Sequence, residues 1–112
     1  MPSESFFQDL TANQRIDHVF ANSPYRVIGQ RGAVVRVAAV AEGGATLSVQ
    51  LGSRQILRNG RLGTAAVGTP PDLLRDTMVE GPGLPGEEIF VSVQDVSAAA
   101  NEVRIKMEVM EP

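Results

Sequence analysis

His18, with the adjacent Asp17, is the residue of this sequence best suited to acid–base chemistry, since it is the single histidine in 112 residues. Adjacent residues rarely point the same way, and no serine is placed locally to complete a Ser-His-Asp triad. We therefore interpret His18 as a packing or surface residue. The chain also lacks Cys, which excludes zinc–thiolate sites, iron–sulfur clusters and thiol catalysis.

Two pairs of carboxylates lie close together in the sequence: Asp72 with Asp76, and Glu87 with Glu88. Glycoside hydrolysis needs two carboxylates across a cleft. Aromatic platforms for a sugar are also scarce, because aromatic residues make up only 4% of the chain. Asp72 follows Pro70-Pro71, where a capping role at the start of a helical turn explains it more simply.

Residues 81–86 spell the G-x-G-x-x-G pattern of dinucleotide-binding loops. Such a loop presents backbone N–H groups to a phosphate between a strand and a helix. Pro82 and Pro85 lack that N–H group, and a strand follows instead of a helix, so we exclude nucleotide binding there. We predict no catalytic residue, no cofactor and no metal ligand, and the protein is not expected to be an enzyme.

From Tyr25 onward, the sequence pattern predicts mainly β-strands separated by Gly and Pro, and these strands would position the residues above. Glu87–Val96 and Asn101–Met110 alternate most clearly and predict an antiparallel hairpin with one buried face. Gly43-Gly44 and Asn59-Gly60 are further hairpin signals. The other predicted strands are Tyr25–Gly29, Gly32–Val40, Ala45–Leu51, Arg54–Arg58, Arg61–Val67 and Thr77–Glu80.

Short strands about ten residues apart, with no convincing long helix, predict an all-β fold. We expect a single antiparallel β-sandwich, jelly-roll-like, over residues 24–112, with a small barrel as the alternative. Residues 1–23 are predicted to form an N-terminal arm or a short helix that ends before Pro24. Because this segment holds three of the four phenylalanines, we expect it to dock on its own domain or on a neighbour.

The charged residues are distributed unevenly along the chain. Residues 18–71 carry six arginines and one acid, a net of +5, whereas residues 72–112 carry nine acids and three basic residues, a net of −6. Either these charges pair across the surface of one chain, or basic and acidic patches of identical subunits meet. The total of −3 gives no reason to expect direct nucleic-acid binding, and the lack of an 18-residue apolar run predicts no membrane-spanning helix.

Apolar residues outside the predicted core mark candidate subunit contacts. Phe90 lies in the polar register of its strand, so we expect either the N-terminal segment or a neighbouring subunit to cover it. Arginine tolerates partial burial and binds carboxylates through two donors, which makes the basic segment a second source of contacts. The candidate subunit contacts are Phe6, Phe7, Leu10, Phe20, Phe90, Arg54, Arg58 and Arg61.

Three features carry a family resemblance: the predicted hairpin segment Ala45–Gly60, the Pro-rich stretch that leads through Pro85 into the strand at Ile89–Val91, and the closing strand Val103–Val109 that finishes at Glu111-Pro112. Over residues 25–112 the chain resembles small jelly-roll or β-sandwich proteins of bacteriophage virions, such as capsid decoration (cement) and vertex proteins. The resemblance implies a viral protein made in the host cytoplasm, which forms homo-oligomers, possibly trimers, on the major capsid protein of the virion. No functional residues transfer with it.

The sequence therefore predicts a non-enzymatic structural protein that self-associates and stabilises a virus capsid. Burial of apolar surface between subunits would provide the stabilisation. The alternative is a small-ligand or carbohydrate-binding β-sandwich module, which uses the same architecture. A pocket with aromatic residues and convergent polar groups would favour that alternative, while the low aromatic content and the absence of Trp argue against it.

Overall fold

The computed structural model describes residues 3–72 and 75–110, which form two β-sheets packed against each other and contain no helix. The predicted all-β sandwich is confirmed. The Glu111-Pro112 end of the predicted closing strand lies outside the described residues. The strands are β1 (Ser3–Leu10), β2 (Arg15–Ile16), β3 (Ala33–Ala41), β4 (Ala45–Leu51), β5 (Arg54–Arg61), β6 (Gly63–Thr64), β7 (Thr77–Gly83), β8 (Ile89–Asp95) and β9 (Asn101–Met110).

The two sheets differ in how their strands are ordered. In the first sheet β9 lies between β1 and β3, and the other side of β3 pairs with β7 and, at its end, with β6. In the second sheet the order is β2-β8-β4-β5. All pairs are antiparallel except the short contact between β3 and β6.

The core lies between the sheets and follows from the two-residue period of the strands. Every odd-numbered residue of β4, β8 and β9 is buried, whereas the even-numbered residues of β4 and β8 are only half-buried on the outer face. Each fully buried Val, Leu or Ile side chain contributes about 1.5–3 kcal/mol relative to an exposed one. The apolar residues that alternate with polar ones in the sequence are therefore the residues that fill the core.

Two of the predicted hairpins are wrong because their strands lie in different sheets. Strands β3 and β4 flank Gly43-Gly44, yet β3 belongs to the first sheet and β4 to the second. Strands β8 and β9 are divided in the same way. Both short connections instead cross the sandwich, whose sheets are typically about 10 Å apart. Alternation shows that one face of a strand is buried, but it does not show which strand lies beside it.

The hairpin predicted at Asn59-Gly60 is also wrong, since β5 runs through both residues. Asn59 has a φ of 51°, and the pairing of β5 with β4 shifts register here. Two residues of β5, Arg58 and Asn59, face the single residue Ser48, whose Oγ accepts the Asn59 N–H at 3.0 Å. A β-bulge, like a tight turn, uses a residue with positive φ, which explains the misleading signal.

The weaker strand predictions had mixed outcomes. Thr77–Glu80 is confirmed as part of β7. The predicted strand Tyr25–Gly29 is reduced to one bridge between Val27 and Glu88, and Arg61–Val67 contains only the end of β5 and the two residues of β6. Each segment nevertheless places one side chain in the core, Ile28 in the first and Leu62 in the second.

The N-terminal segment is extended and belongs to the sandwich. Strand β1 pairs with β9 from Ser3 to Leu10, and β2 pairs with β8. The expected docking on the protein's own domain is therefore what the structure has, with an extended strand in place of the helical alternative. Both sheets thus include strands from residues 1–23, the segment that the sequence set apart from residues 24–112.

Candidate functional site

The outer face of the second sheet presents side chains in rows across its strands. Directly paired residues of neighbouring strands point to the same side of a sheet, so the register sets these rows. One row runs Gln55–Gln50–Phe90, the next pairs Ser48 with Ser92, and the third runs Arg61–Thr46–Gln94–Arg15.

A groove of about 480 Å³ lies over this face and is open to solvent. Its volume is within the range of small-molecule sites. Strands β4, β5 and β8 supply most of its walls, and the β2 region closes one side. We call it the polar groove, and it is lined by Arg15, Asp17, Ser48, Gln50, Gln55, Arg58, Asn59, Phe90 and Ser92.

The polar groove carries one positive charge that has no counter-charge. Arg15 is paired with Asp17 through a 2.7 Å contact between Nε and Oδ1. Arg58 is exposed and makes no side-chain hydrogen bond or ion pair with any residue that the structure describes. Since one of the two arginines is neutralised by Asp17, the groove has a net charge of +1.

Two amide side chains of the polar groove are held by backbone carbonyls. Gln50 Nε2 donates to Gly52 O at 2.8 Å, and Gln55 Nε2 donates to Leu57 O at 2.8 Å. Their Oε1 atoms accept no hydrogen bond within the described part of the chain, and neither does Ser92 Oγ. The sheet therefore holds these polar groups in place with acceptors still available.

Phe90 forms the apolar part of the polar groove. The His18 ring packs against it with the ring centroids 4.8 Å apart and the planes inclined by 50°. His18 Nε2 in turn lies 2.9 Å from Glu88 Oε2. The N-terminal segment thus covers Phe90 in part, and His18 supports this ring.

Two arginines of the basic segment pair with acids of the C-terminal segment inside one chain. Arg36 contacts Glu80 at 2.9 Å and Glu108 at 3.6 Å. Arg54 binds both carboxylate oxygens of Glu87, and together with the Leu84 N–H it lowers the pKa of Glu87 below its ordinary value. For these residues the structure matches the first interpretation of the charge pattern, pairing within one chain.

The remaining candidate contacts fall into two groups. Leu10 and Phe20 are buried in the protein's own core, so they offer no surface to another subunit, and we withdraw them as candidate contacts. Phe6 packs against that core and is half-buried. Phe7 is 56% exposed, and Arg61 is exposed on the same face as the polar groove.

The sequence analysis missed a buried polar cluster at one end of the sandwich. Asp95, the last residue of β8, is 1% exposed. Its carboxylate accepts hydrogen bonds from the backbone N–H groups of Asn13, Ser97 and Ala98, from the Ser97 hydroxyl and from Asn101 Nδ2. Burial alone would raise the pKa of Asp95, but these donors together hold it well below its ordinary value.

Asn101 extends this cluster to the other cross-sheet connection. Its Oδ1 accepts the Gly43 N–H at 2.9 Å, and its Nδ2 donates to Gly44 O at 2.9 Å as well as to Asp95. Asp95 and Asn101 therefore join residues 42–44, residues 96–100 and the turn at Asn13. The one local signal was Asp95-Val96-Ser97, since Asp accepts the N–H two residues on in an Asx-turn.

Replacement of Ala98 by glycine is expected to stabilise the protein by about 0.5–1 kcal/mol. Ala98 has a φ of 59°, which is costly for any residue with a Cβ and free of strain for glycine. The free energy of unfolding from urea denaturation measures the change. Ala99→Gly, in the same connection but without positive φ, is the control and should not stabilise; equal gains in both variants would refute the explanation.

Compared with known proteins, the chain matches no protein-family model, no curated protein and no solved structure. Among residues 3–72 and 75–110, no three His, Cys, Asp or Glu side chains group together as a metal site would require. No helix in that part of the chain is long and apolar enough to span a membrane.

Proposed function

We propose that the protein is a non-enzymatic structural protein that self-associates and stabilises a virus capsid, as a decoration or cement protein does. The observation that carries self-association is strand β1. It lies at the edge of the first sheet, it is eight residues long, and its outer side has no partner strand among the described residues. Long unprotected edges readily add a strand from another chain, and natural proteins usually shield them.

Antiparallel pairing between two copies of β1 would place apolar residues together. A two-fold axis at Phe7 sets the two Phe7 side chains opposite each other and sets Asp9 of each copy opposite Ser5 of the other. Because Asp9 lies opposite Ser5 in this register, the two Asp9 carboxylates do not face each other. Phe7 is already 56% exposed, so its burial between copies contributes apolar area without opening the core.

Phe7→Lys is expected to weaken self-association at least tenfold, because loss of a central aromatic contact costs about 2 kcal/mol or more. The molar mass in solution, measured across a concentration series, reports the change against the 11.9 kDa monomer. Val27→Lys is the matched control, since Val27 is 46% exposed but lies away from β1, where it bridges to Glu88 just before β8. A wild-type protein that stays monomeric at high concentration would contradict the proposal.

The capsid part of the proposal needs its own measurement. We expect the purified protein to co-sediment with capsids made from a major capsid protein encoded next to its gene. Phe7→Lys is expected to reduce the amount bound if self-association and capsid binding are coupled. A gene neighbourhood without capsid or portal genes, together with no capsid binding, would refute this part and leave self-association to be judged by mass alone.

A second candidate function, the binding of a small ligand or carbohydrate, is favoured by the polar groove. The groove brings together polar groups from four strand regions around Phe90, as a ligand site requires. Titration of the protein with sugars, followed through backbone amide signals of β4 and β8, tests this second candidate. An absence of shifts at those strands would leave the groove as ordinary solvated surface.

A further inference from the structure

We infer that the polar groove binds an acidic saccharide, in which a sugar ring lies on Phe90 and a carboxylate on that sugar pairs with Arg58. This inference rests on the second candidate function above and names its ligand class. It does not depend on self-association, because the groove lies on the second sheet and β1 lies at the edge of the first.

The charge of the groove favours a ligand with a single carboxylate. Of the two arginines that line the groove, Arg58 has no acidic partner among the described residues, while Arg15 is already paired with Asp17. A planar guanidinium binds a carboxylate through two parallel hydrogen bonds, which a free Arg58 is able to do. A polyphosphate chain would need several uncompensated cations along its path, and Asp17 would repel it.

The neutral groups of the groove are suited to sugar hydroxyls. Gln50 and Gln55 present amide oxygens that accept hydrogen bonds, and Ser92 presents a hydroxyl that both donates and accepts. Because backbone carbonyls of Gly52 and Leu57 already fix the two amides, a ligand does not have to order them on binding. The groove thus holds acceptors and donors close to one another, as a polyhydroxylated ligand needs.

Phe90 supplies the apolar surface that a sugar ring requires. It is the only aromatic side chain that lines the polar groove among the described residues, and His18 supports its ring. Phe90 faces Gln50 directly across the strands, so a sugar lying on the ring is within reach of the amide. Loss of this ring is expected to weaken the binding of neutral and acidic sugars alike. Loss of Arg58 is expected to weaken the binding of acidic sugars only.

The test uses methyl galactopyranosiduronate, a saccharide with a single carboxylate, and its methyl ester, in which that charge is removed and one methyl group is added. Isothermal titration of the 112-residue protein is expected to show binding of the acid at least about tenfold tighter than binding of the ester. Arg58→Gln is expected to remove that preference. Arg31→Gln, at an exposed arginine beside the apolar cleft around Leu84, is the control and is expected to leave it unchanged.

Backbone amide spectra of the same variants report the place of binding and the integrity of the fold. Shifts at β4 and β8 that disappear in Arg58→Gln would support the inference. Equal affinity of the wild-type protein for the acid and the ester would overturn the pairing with Arg58. So would an equal loss of the preference for the acid in Arg31→Gln and Arg58→Gln. Binding of neither sugar at millimolar concentration would overturn both the ligand class and the second candidate function, and would leave the mass measurements on Phe7→Lys unaffected.

Discussion

Asp95→Ala is expected to lower the free energy of unfolding by about 3–5 kcal/mol. The buried carboxylate is the shared acceptor for five donors, and its removal takes the acceptor from part-buried N–H groups and from the buried Asn101 amide in three segments at once. Asn13 and Ala98 both have positive φ, so two strained turns lose the contact that holds them. Urea denaturation with an unchanged m-value measures the loss.

Asp95→Asn separates the charge of this residue from its size. The asparagine side chain replaces one acceptor oxygen by an NH2 group, which cannot accept a hydrogen bond from the surrounding donors. We therefore expect the free energy of unfolding to fall by about 2–3 kcal/mol. In the wild-type protein the pKa of Asp95 is lower when folded than when unfolded, so the unfolded state takes up the proton first and stability falls as the pH drops below about 5. Asp95→Asn should weaken this dependence.

Asp17→Ala is the matched control for both variants, because the Asp17 side chain is 83% exposed. A surface substitution of this kind is expected to change stability by less than about 0.5 kcal/mol. If Asp95→Ala proved no more damaging than Asp17→Ala, the cluster would not hold the two cross-sheet connections together. A wild-type acid dependence identical to that of Asp95→Asn would show that other carboxylates dominate it.

Arg104→Met is expected to lower the free energy of unfolding by about 3–4 kcal/mol, since it removes one partner of a buried charged network. The Arg104 side chain is fully buried on the outer face of the first sheet, where a loop covers it. Its guanidinium donates to the carbonyl oxygens of Ala65, Ala66 and Thr69 and lies 3.3 Å from Glu102. Three carbonyl groups lose a hydrogen-bond donor together, and Glu102 loses its ion pair while it still accepts the Gly68 N–H at 2.7 Å.

Hydrogen exchange distinguishes this loss from a general loosening of the sheet. We expect the amides of residues 65–69 to lose protection in Arg104→Met at conditions where β4 and β8 keep theirs. Lys106→Met, two residues along the same strand and on the same face, is the control and should leave the loop protected. Arg104→Lys is expected to restore only part of the stability, because an ammonium group does not reproduce the planar fork.

The sequence predicted individual strands better than the contacts between them. The bounds of β4 agree with the predicted Ala45–Leu51, since its alternation and the glycines beside it are local properties. Sheet membership is a long-range property. Gly43-Gly44 crosses the sandwich with the help of Asn101, a residue 57 positions from Gly44, and no local pattern reveals that hydrogen bond.

The polar groove was predictable only in part. Ser48, Gln50, Phe90 and Ser92 all occupy even positions of clearly alternating strands, so their outward direction follows from the sequence. Arg58 lies in the predicted strand Arg54–Arg58, and β5 does pair with β4. The direction of its side chain could not be predicted, because burial in β5 does not alternate and the bulge at Asn59 shifts the register.

The pairing of β1 with β9 has a consequence for how the chain folds during its synthesis. Leu10 pairs with Asn101, so β1 leaves the ribosome long before its partner strand exists. Contacts between residues so distant in sequence form slowly, because a large loop must close first. Until β9 emerges, Phe6 and Phe7 lack the strand beside which they pack, and apolar residues left without their sheet make a nascent chain prone to aggregate.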